Sequence, residues 1–351
     1  MDGRPLDGNI LDSMGATVAG SPRGAEGTRA AAPLGISLLA IGLAACGGAG
    51  QASGADDDAT SLLVYATVTQ DTVDAVVTGF EESHAGTSVE VFRAPTAEVA
   101  ARIAAERRHG PIRADVLWLT DPLSIEQYAA DGLLLEWTPS EIDVIPREYR
   151  APQFFGTRLL SIVIVHGAAL TDPPADWGDL AGSVAGGVAI PDPAFAGSAF
   201  GALGYFLLSD GYGIEYYQAL HDAGTVQVSS PGDVVSGVAE GQYGAGMTLD
   251  RNGRDAVEAG SPITVVWPAS GAIAIYSPIG VVAAGATATA MEFVDYVLGT
   301  EAQVAIAATG WQPIRSDVEW AGGGPQVSVD WAAAAGRQDE LLAQYQAIFG
   351  R

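Results

Sequence analysis

Residues 61–83 read SLLVYATVTQDTVDAVVTGFEES, and two periodicities meet in them. Ser61 to Thr67 is an unbroken apolar run of the kind a buried strand shows. Val73, Val76, Val77 and Phe80 then recur at helical spacing, with Thr69 placed to cap the first turn. The alternation continues downstream. Ser88 to Arg93 predicts a strand, and Ala97 to Arg108 a helix through Val99 and Ile103. ADVLWL at 114–119 predicts a short buried strand that ends at Thr120-Asp121-Pro122. The helix after it runs to Asp131 and is closed by Gly132 in a left-handed cap. Strand–helix–strand–helix order argues for an α/β fold with a mostly parallel sheet covered by helices.

RLLSIVIVH at 158–166 is the longest β-branched run and predicts a central or connecting strand. A second α/β set follows it. Strands are expected at 187–190, 225–228, 244–249 and 263–267, with helices at 198–209, 213–223 and after Ser230-Pro231, a cap followed by a first-turn proline. Ala272 to Val282 is apolar again and returns the chain to the first set. Helices at 288–298, 301–309 and 340–349 close it. The pattern implies two lobes, the second inserted into the first: 60–160 with 275–322, and 161–274 with 323–351.

Upstream of the folded body lies a leader. Pro33 to Ala45 is short and nearly all apolar, with Arg23 and Arg29 before it, the layout of a secretory signal at residues 1–45. It is shorter than the roughly 20 apolar residues a membrane span needs. Met14 is an alternative start. Leu43-Ala44-Ala45-Cys46 resembles the bacterial lipobox, which implies lipidation of Cys46 and a membrane-anchored, exported lipoprotein. Cys46 is the only cysteine of the chain, so no internal disulfide can form. Residues 46–59, rich in glycine with three successive aspartates, read as a flexible tether.

Composition narrows the chemistry. The net charge is −26, and the leader's four acids and three arginines nearly cancel, so almost all of it belongs to the remainder. Such a surface repels nucleic acid and anionic lipid, leaving the lipid anchor as the only membrane contact. All 16 basic residues are arginine. Without lysine there is no Walker-type phosphate lysine, Schiff base or pyridoxal attachment. His84, His109, His166 and His221 are scattered, with no HExxH, so no metal site or cofactor is expected. GSAFG at 197–201 has its serine in the wrong place for a nucleophile elbow, and a secreted hydrolase is correspondingly the weakest reading.

Four stretches carry a family resemblance: ADVLWLTDPLSIEQYAADGLL, GGVAIPDPAFAGSAFG, GQYGAGMTLDRNGRDAVEAGSPI and FVDYVLGTEAQVAIAATGWQPIRSDV. In this order, after the lipobox and the strand–helix opening, they look like the extracellular solute-binding proteins of ABC importers, in the branch with ferric-iron, hexose-phosphate and phosphonate binders. The resemblance implies a type II periplasmic-binding-protein-like fold, two-lobed with a strand hinge near Ser161–Val165 and Ala274–Val282. It implies a monomer that closes on a small ligand, presents it to a membrane permease and performs no catalysis.

In doubly wound sheets ligands sit beyond the carboxyl ends of the strands. Four loops qualify, and their candidate residues are Thr69 and Gln70; Trp118, Thr120 and Asp121; Gly197, Ser198 and Ala199; and Thr248 and Asp250, which match a recurrent Thr-x-Asp of the related proteins. Gly197-Ser198 opens a helix whose free amides suit an anion. The plainer readings are caps for Thr69 and Ser198, core for Trp118, and a turn for Asp250. Arg254 or Arg93 could supply the counter-charge. A ferric site, the main alternative, normally needs adjacent tyrosines in a loop of the second lobe. Tyr216-Tyr217 fall inside a helix, where neighbours diverge by about 100°, and read as packing. A small phosphorylated or phosphonate compound is the expected ligand.

Overall fold

The computed structural model describes residues 60–350. The leader, Cys46 and the 46–59 tether lie outside the described residues. The apolar run opens as β1 (Thr60–Ala66), and the helical spacing behind it as α1 (Gln70–Ser83), which buries Thr72, Val73, Val76 and Phe80. Full burial of a side chain such as Phe80 contributes about 1.5–3 kcal/mol. β2 (Thr87–Arg93), α2 (Thr96–Arg107), β3 (Val116–Trp118) and α3 (Pro122–Ala130) follow as the periodicities predict. Asp121 caps α3, its carboxylate accepting from Ser124 N at 2.8 Å, and Gly132 takes the left-handed conformation (φ 72°) beyond its end.

β4 (Phe155–Gly167) is the long strand foreseen in RLLSIVIVH, buried along almost its whole length. After α4 (Trp177–Leu180) comes the second set. It comprises β5 (Val188–Pro191), α5 (Gly197–Leu208), α6 (Gly213–Asp222), β6 (Val226–Val228), α7 (Pro231–Ala239), β7 (Ala245–Leu249), α8 (Asp250–Glu258) and β8 (Ile263–Val266). β9 (Ala272–Val281) returns the chain. α9 (Ala288–Leu298), α10 (Thr300–Ala308), β10 (Gln312–Pro313), β11 (Gln326–Val327), α11 (Trp331–Ala335) and α12 (Gln338–Phe349) complete it. α12 packs on α5 and α6, and α11 on α3 and α5.

The two strand sets belong to one continuous curled sheet, in the order β2-β1-β3-β9-β4-β7-β5-β6. β1, β2 and β3 are parallel at one end; β5, β6 and β7 are parallel at the other. Between them β4 and β9 run antiparallel with Ser161 opposite Ala274. β9 also pairs with β3, and β4 with β7 and β8, so within the sheet these two strands join the parallel sets. The β4–β9 register slips between Gly156 and Arg158. Such irregularities re-aim side chains, and this one stands at the head of the cleft.

Candidate functional site

The carboxyl ends of β1, β3, β5 and β7 open onto one cavity of about 550 Å³. Its wall is built where strands hand over to helices. Thr67 and Thr69 follow β1, Thr120 follows β3, Gly197 and Ser198 open α5, and Ser230 and Pro231 open α7. Ser230 caps α7, its hydroxyl accepting from Asp233 N at 3.2 Å, with Pro231 in the first turn. Two helix N-termini therefore turn their free amides toward the same space, a favourable environment for an anion.

At the inner end lies Arg158. Its side chain is wholly buried (0% exposed), and its guanidinium rests on the Trp311 ring at 4.3 Å from the centroid. Nη1 donates to Thr72 Oγ1 at 3.2 Å and, more weakly, to Thr69 Oγ1 at 3.4 Å. Nε and Nη2 have no hydrogen-bond partner among the described residues, and no carboxylate pairs with the group. Burial pulls its pKa down to about 9; the nearby Arg251 and Arg93 push the same way, and only Asp71 opposes them. A buried cation with unmet donors is costly unless an anion joins it. Arg93 lines the same cavity from its exposed side, its Nε donating to Val68 O at 2.7 Å.

Gly197 is a close approach. A Cβ there would stand 2.6 Å from Thr120 Oγ1 and 2.8 Å from Thr96 Oγ1, so the α5 start and the segments after β2 and β3 can meet only over glycine. α8 makes the other crossing. Arg251 Nη2 pairs with Asp71 Oδ2 at 2.6 Å, and Arg254 Nη2 donates to Gly310 O at 2.7 Å. Burial works against the Asp71 carboxylate, but the Thr69 hydroxyl and Arg251 outweigh it and hold its pKa below the ordinary value.

Of the residues expected from sequence, Thr69, Thr120, Gly197 and Ser198 share the cavity. Ser198, Ala199 and Thr248 line a small recess beside it, where Thr248 Oγ1 donates to Pro231 O at 2.9 Å. The others stand apart. Trp118 is fully buried, its Nε1 donating to Thr157 Oγ1 at 3.0 Å, which is the packing role. Gln70 is exposed and donates to Asp74 at 2.7 Å. Asp250 opens α8 and pairs with Arg254 at 2.7 Å. That pair, with the bond to Gly310, engages Arg254 elsewhere than the cavity. Asp121 is buried with Oδ2 unpartnered, and burial raises its pKa to about 6. Thr69 occupies the N-cap position of α1 but makes no cap bond; its hydroxyl serves Thr72, Arg158 and Trp311 instead. Tyr216 and Tyr217 are packed within α6, the first donating to Trp177 O at 2.8 Å, and burial raises both pKa values far above the ordinary value. Sequence reasoning missed Arg158 and Trp311. The available signal was a lone charge heading the most apolar run of the chain.

One curled α/β sheet, two parallel halves joined by a long antiparallel strand pair, and a cleft at the strand ends define the type II periplasmic-binding-protein fold. The chain belongs to the bacterial extracellular solute-binding protein family, whose model matches residues 62–312. Among solved structures it is similar to AfuA from Actinobacillus pleuropneumoniae with fructose-6-phosphate bound, at TM-score 0.74 and 18% identity, covering 83% of this chain and 99% of that one. It is also similar to iron-bound HitA from Pseudomonas aeruginosa, at TM-score 0.72 and 18% identity, covering 82% and 99%. The ferric binding protein from Campylobacter jejuni gives 0.71 and 18%, with 82% and 99% covered. At these identities the likeness is one of fold. No curated protein sequence matches the chain. The family places the protein outside the cytoplasm, and no helix among the described residues is long and apolar enough to cross a membrane.

Proposed function

We propose that this protein is the capture lipoprotein of an ABC importer, held at the outer face of the membrane through lipidated Cys46 and binding a small phosphorylated or phosphonate compound. The observation that carries the ligand class is Arg158, a buried guanidinium with two unmet donor positions in the wall of a cleft edged by helix N-termini. An oxyanion supplies both the counter-charge and the acceptors that the protein itself does not. The net charge of −26 is no obstacle, because the local field at the cleft is set by Arg158 and Arg93. In this reading 60–160 with 275–322 forms one lobe and 161–274 with 323–351 the other. They close as a monomer about β4 and β9, and the ligand passes unchanged to the permease subunits. The Arg251–Asp71 pair and the Arg254–Gly310 bond then tie the lobes together across the cleft.

The test is a thermal-shift panel on the purified protein with phosphate monoesters, phosphonates, inorganic phosphate, a polyamine and ferric citrate. A ligand present at 100 times its dissociation constant adds about 2.7 kcal/mol of stability. The account expects shifts with the phosphorus oxyanions that vanish in Arg158→Gln. A shift confined to ferric citrate or to the polyamine overturns it.

A further inference from the structure

The cavity has a second feature, opposite in character to Arg158. Phe195 is 45% exposed, one of four exposed large apolar side chains among the described residues, and it alone of the four lines the cavity. Among the described residues it makes no ring contact with another aromatic side chain. Its backbone is nevertheless held in place. Phe195 N and Ala196 N both donate to Asp192 O at 3.0 Å, and Ala194 N donates to Asp192 Oδ1 at 2.9 Å. An apolar ring is thus presented on a fixed turn at the mouth of a site whose inner end is a buried cation. The surroundings match it: Pro95, Leu160, Pro231 and Leu249 supply apolar wall.

Part of the polar wall is committed within the protein, while the side chains of Thr96, Ser198, Ser229 and Asn252 make no hydrogen bond among the described residues. Thr67 and Thr120 hydroxyls bond each other at 3.0 Å, Thr69 is shared by Thr72 and Arg158, and Ser230 caps α7. Among the described residues Asp233 is the only carboxylate on the lining, and it is exposed at the start of α7. A wall that joins an exposed aromatic ring and apolar side chains to a buried cation suits a ligand pairing an anionic group with a flat apolar body. Resting on the oxyanion reading above, we infer that the ligand is an aryl or heteroaryl phosphate or phosphonate. Its oxyanion meets Arg158, and its ring stacks on Phe195, which is the specificity-determining residue.

The experiment is calorimetric titration of the full-length protein with phenyl phosphate, a hexose 6-phosphate and inorganic phosphate, repeated with Phe195→Ala and Phe195→Tyr. The wild type should bind phenyl phosphate most tightly. Phe195→Ala should weaken phenyl phosphate about three- to tenfold, the worth of one aromatic contact, and leave inorganic phosphate within about twofold of wild type. Phe195→Tyr should restore the preference. A wild type that prefers the hexose phosphate, or a Phe195→Ala variant that weakens all three alike, overturns the inference while leaving the oxyanion site standing. No binding of any of the three overturns both.

Discussion

Replacing Arg158 with methionine should move stability and binding in opposite directions. The fall of its pKa from 12.5 to about 9 corresponds to roughly 5 kcal/mol of unfavourable burial at neutral pH, at 1.36 kcal/mol per decade. Against that stand the contacts that methionine would lose. The guanidinium over Trp311 at 4.3 Å contributes about 1–2 kcal/mol, and the bond to Thr72 at 3.2 Å about 1 kcal/mol. Methionine fills similar volume with no charge, so Arg158→Met should stabilise the ligand-free protein by about 1–3 kcal/mol. Binding should suffer, because each charge-assisted hydrogen bond to an oxyanion contributes about 1.5–3 kcal/mol. The assay is urea unfolding with and without saturating phosphate. In the absence of phosphate the variant's midpoint should rise, and the increment that phosphate gives the wild type should vanish. A variant that is less stable than wild type and still gains from phosphate would refute the reasoning, for it would mean that Arg158 is already compensated and does not meet the anion.

Three further outcomes follow from the same geometry. Asp121 has its pKa raised by burial from 3.8 to about 6, so its contribution to stability is full below pH 3.8 and is lost as pH rises toward 6; Asp121→Asn keeps the cap to Ser124 and should stabilise the protein at pH 7 by up to roughly 3 kcal/mol, read from unfolding midpoints across pH 4–8. Asp71→Asn removes the Arg251 ion pair, both partners being partly exposed; the loss is held to about 0.2–1 kcal/mol by solvent screening and should appear as faster ligand release, most clearly at low salt, the wild-type advantage fading as pH falls through the depressed Asp71 pKa. Cys46→Ser should release the protein from the membrane fraction and abolish fatty-acid labelling, while leaving ligand affinity of the body unchanged.

Much of the fold was legible because it rests on local periodicity. The 3.6-residue spacing of Val73, Val76 and Phe80 and the continuous run of β4 could be read directly. So could the Ser230-Pro231 start of α7, since a cap and a first-turn proline depend only on neighbours. Legibility ended where contacts are long-range. The union of the two strand sets into one sheet depends on the pairing of β4 with β9, residues more than a hundred apart in the chain. Arg158 was missed for the same reason. Its meaning comes from Trp311, Thr72 and the absence of a carboxylate, none of which is adjacent in sequence. Thr69 shows the converse error. Its position marked a cap, yet its hydroxyl was drawn away to Thr72, Arg158 and Trp311. Trp118 lies next to a cleft loop in sequence, but its ring turns into the core beneath that loop.

The most direct measurement is a crystal structure of the protein grown with phenyl phosphate and a second with inorganic phosphate. The account predicts an oxyanion within about 2.7–2.9 Å of Arg158 Nε and Nη2, bounded by Thr69 and the Gly197-Ser198 start of α5. An anion bound at Arg93 alone, or an Arg158 that keeps its donors unmet while the cleft holds its ligand elsewhere, would contradict it.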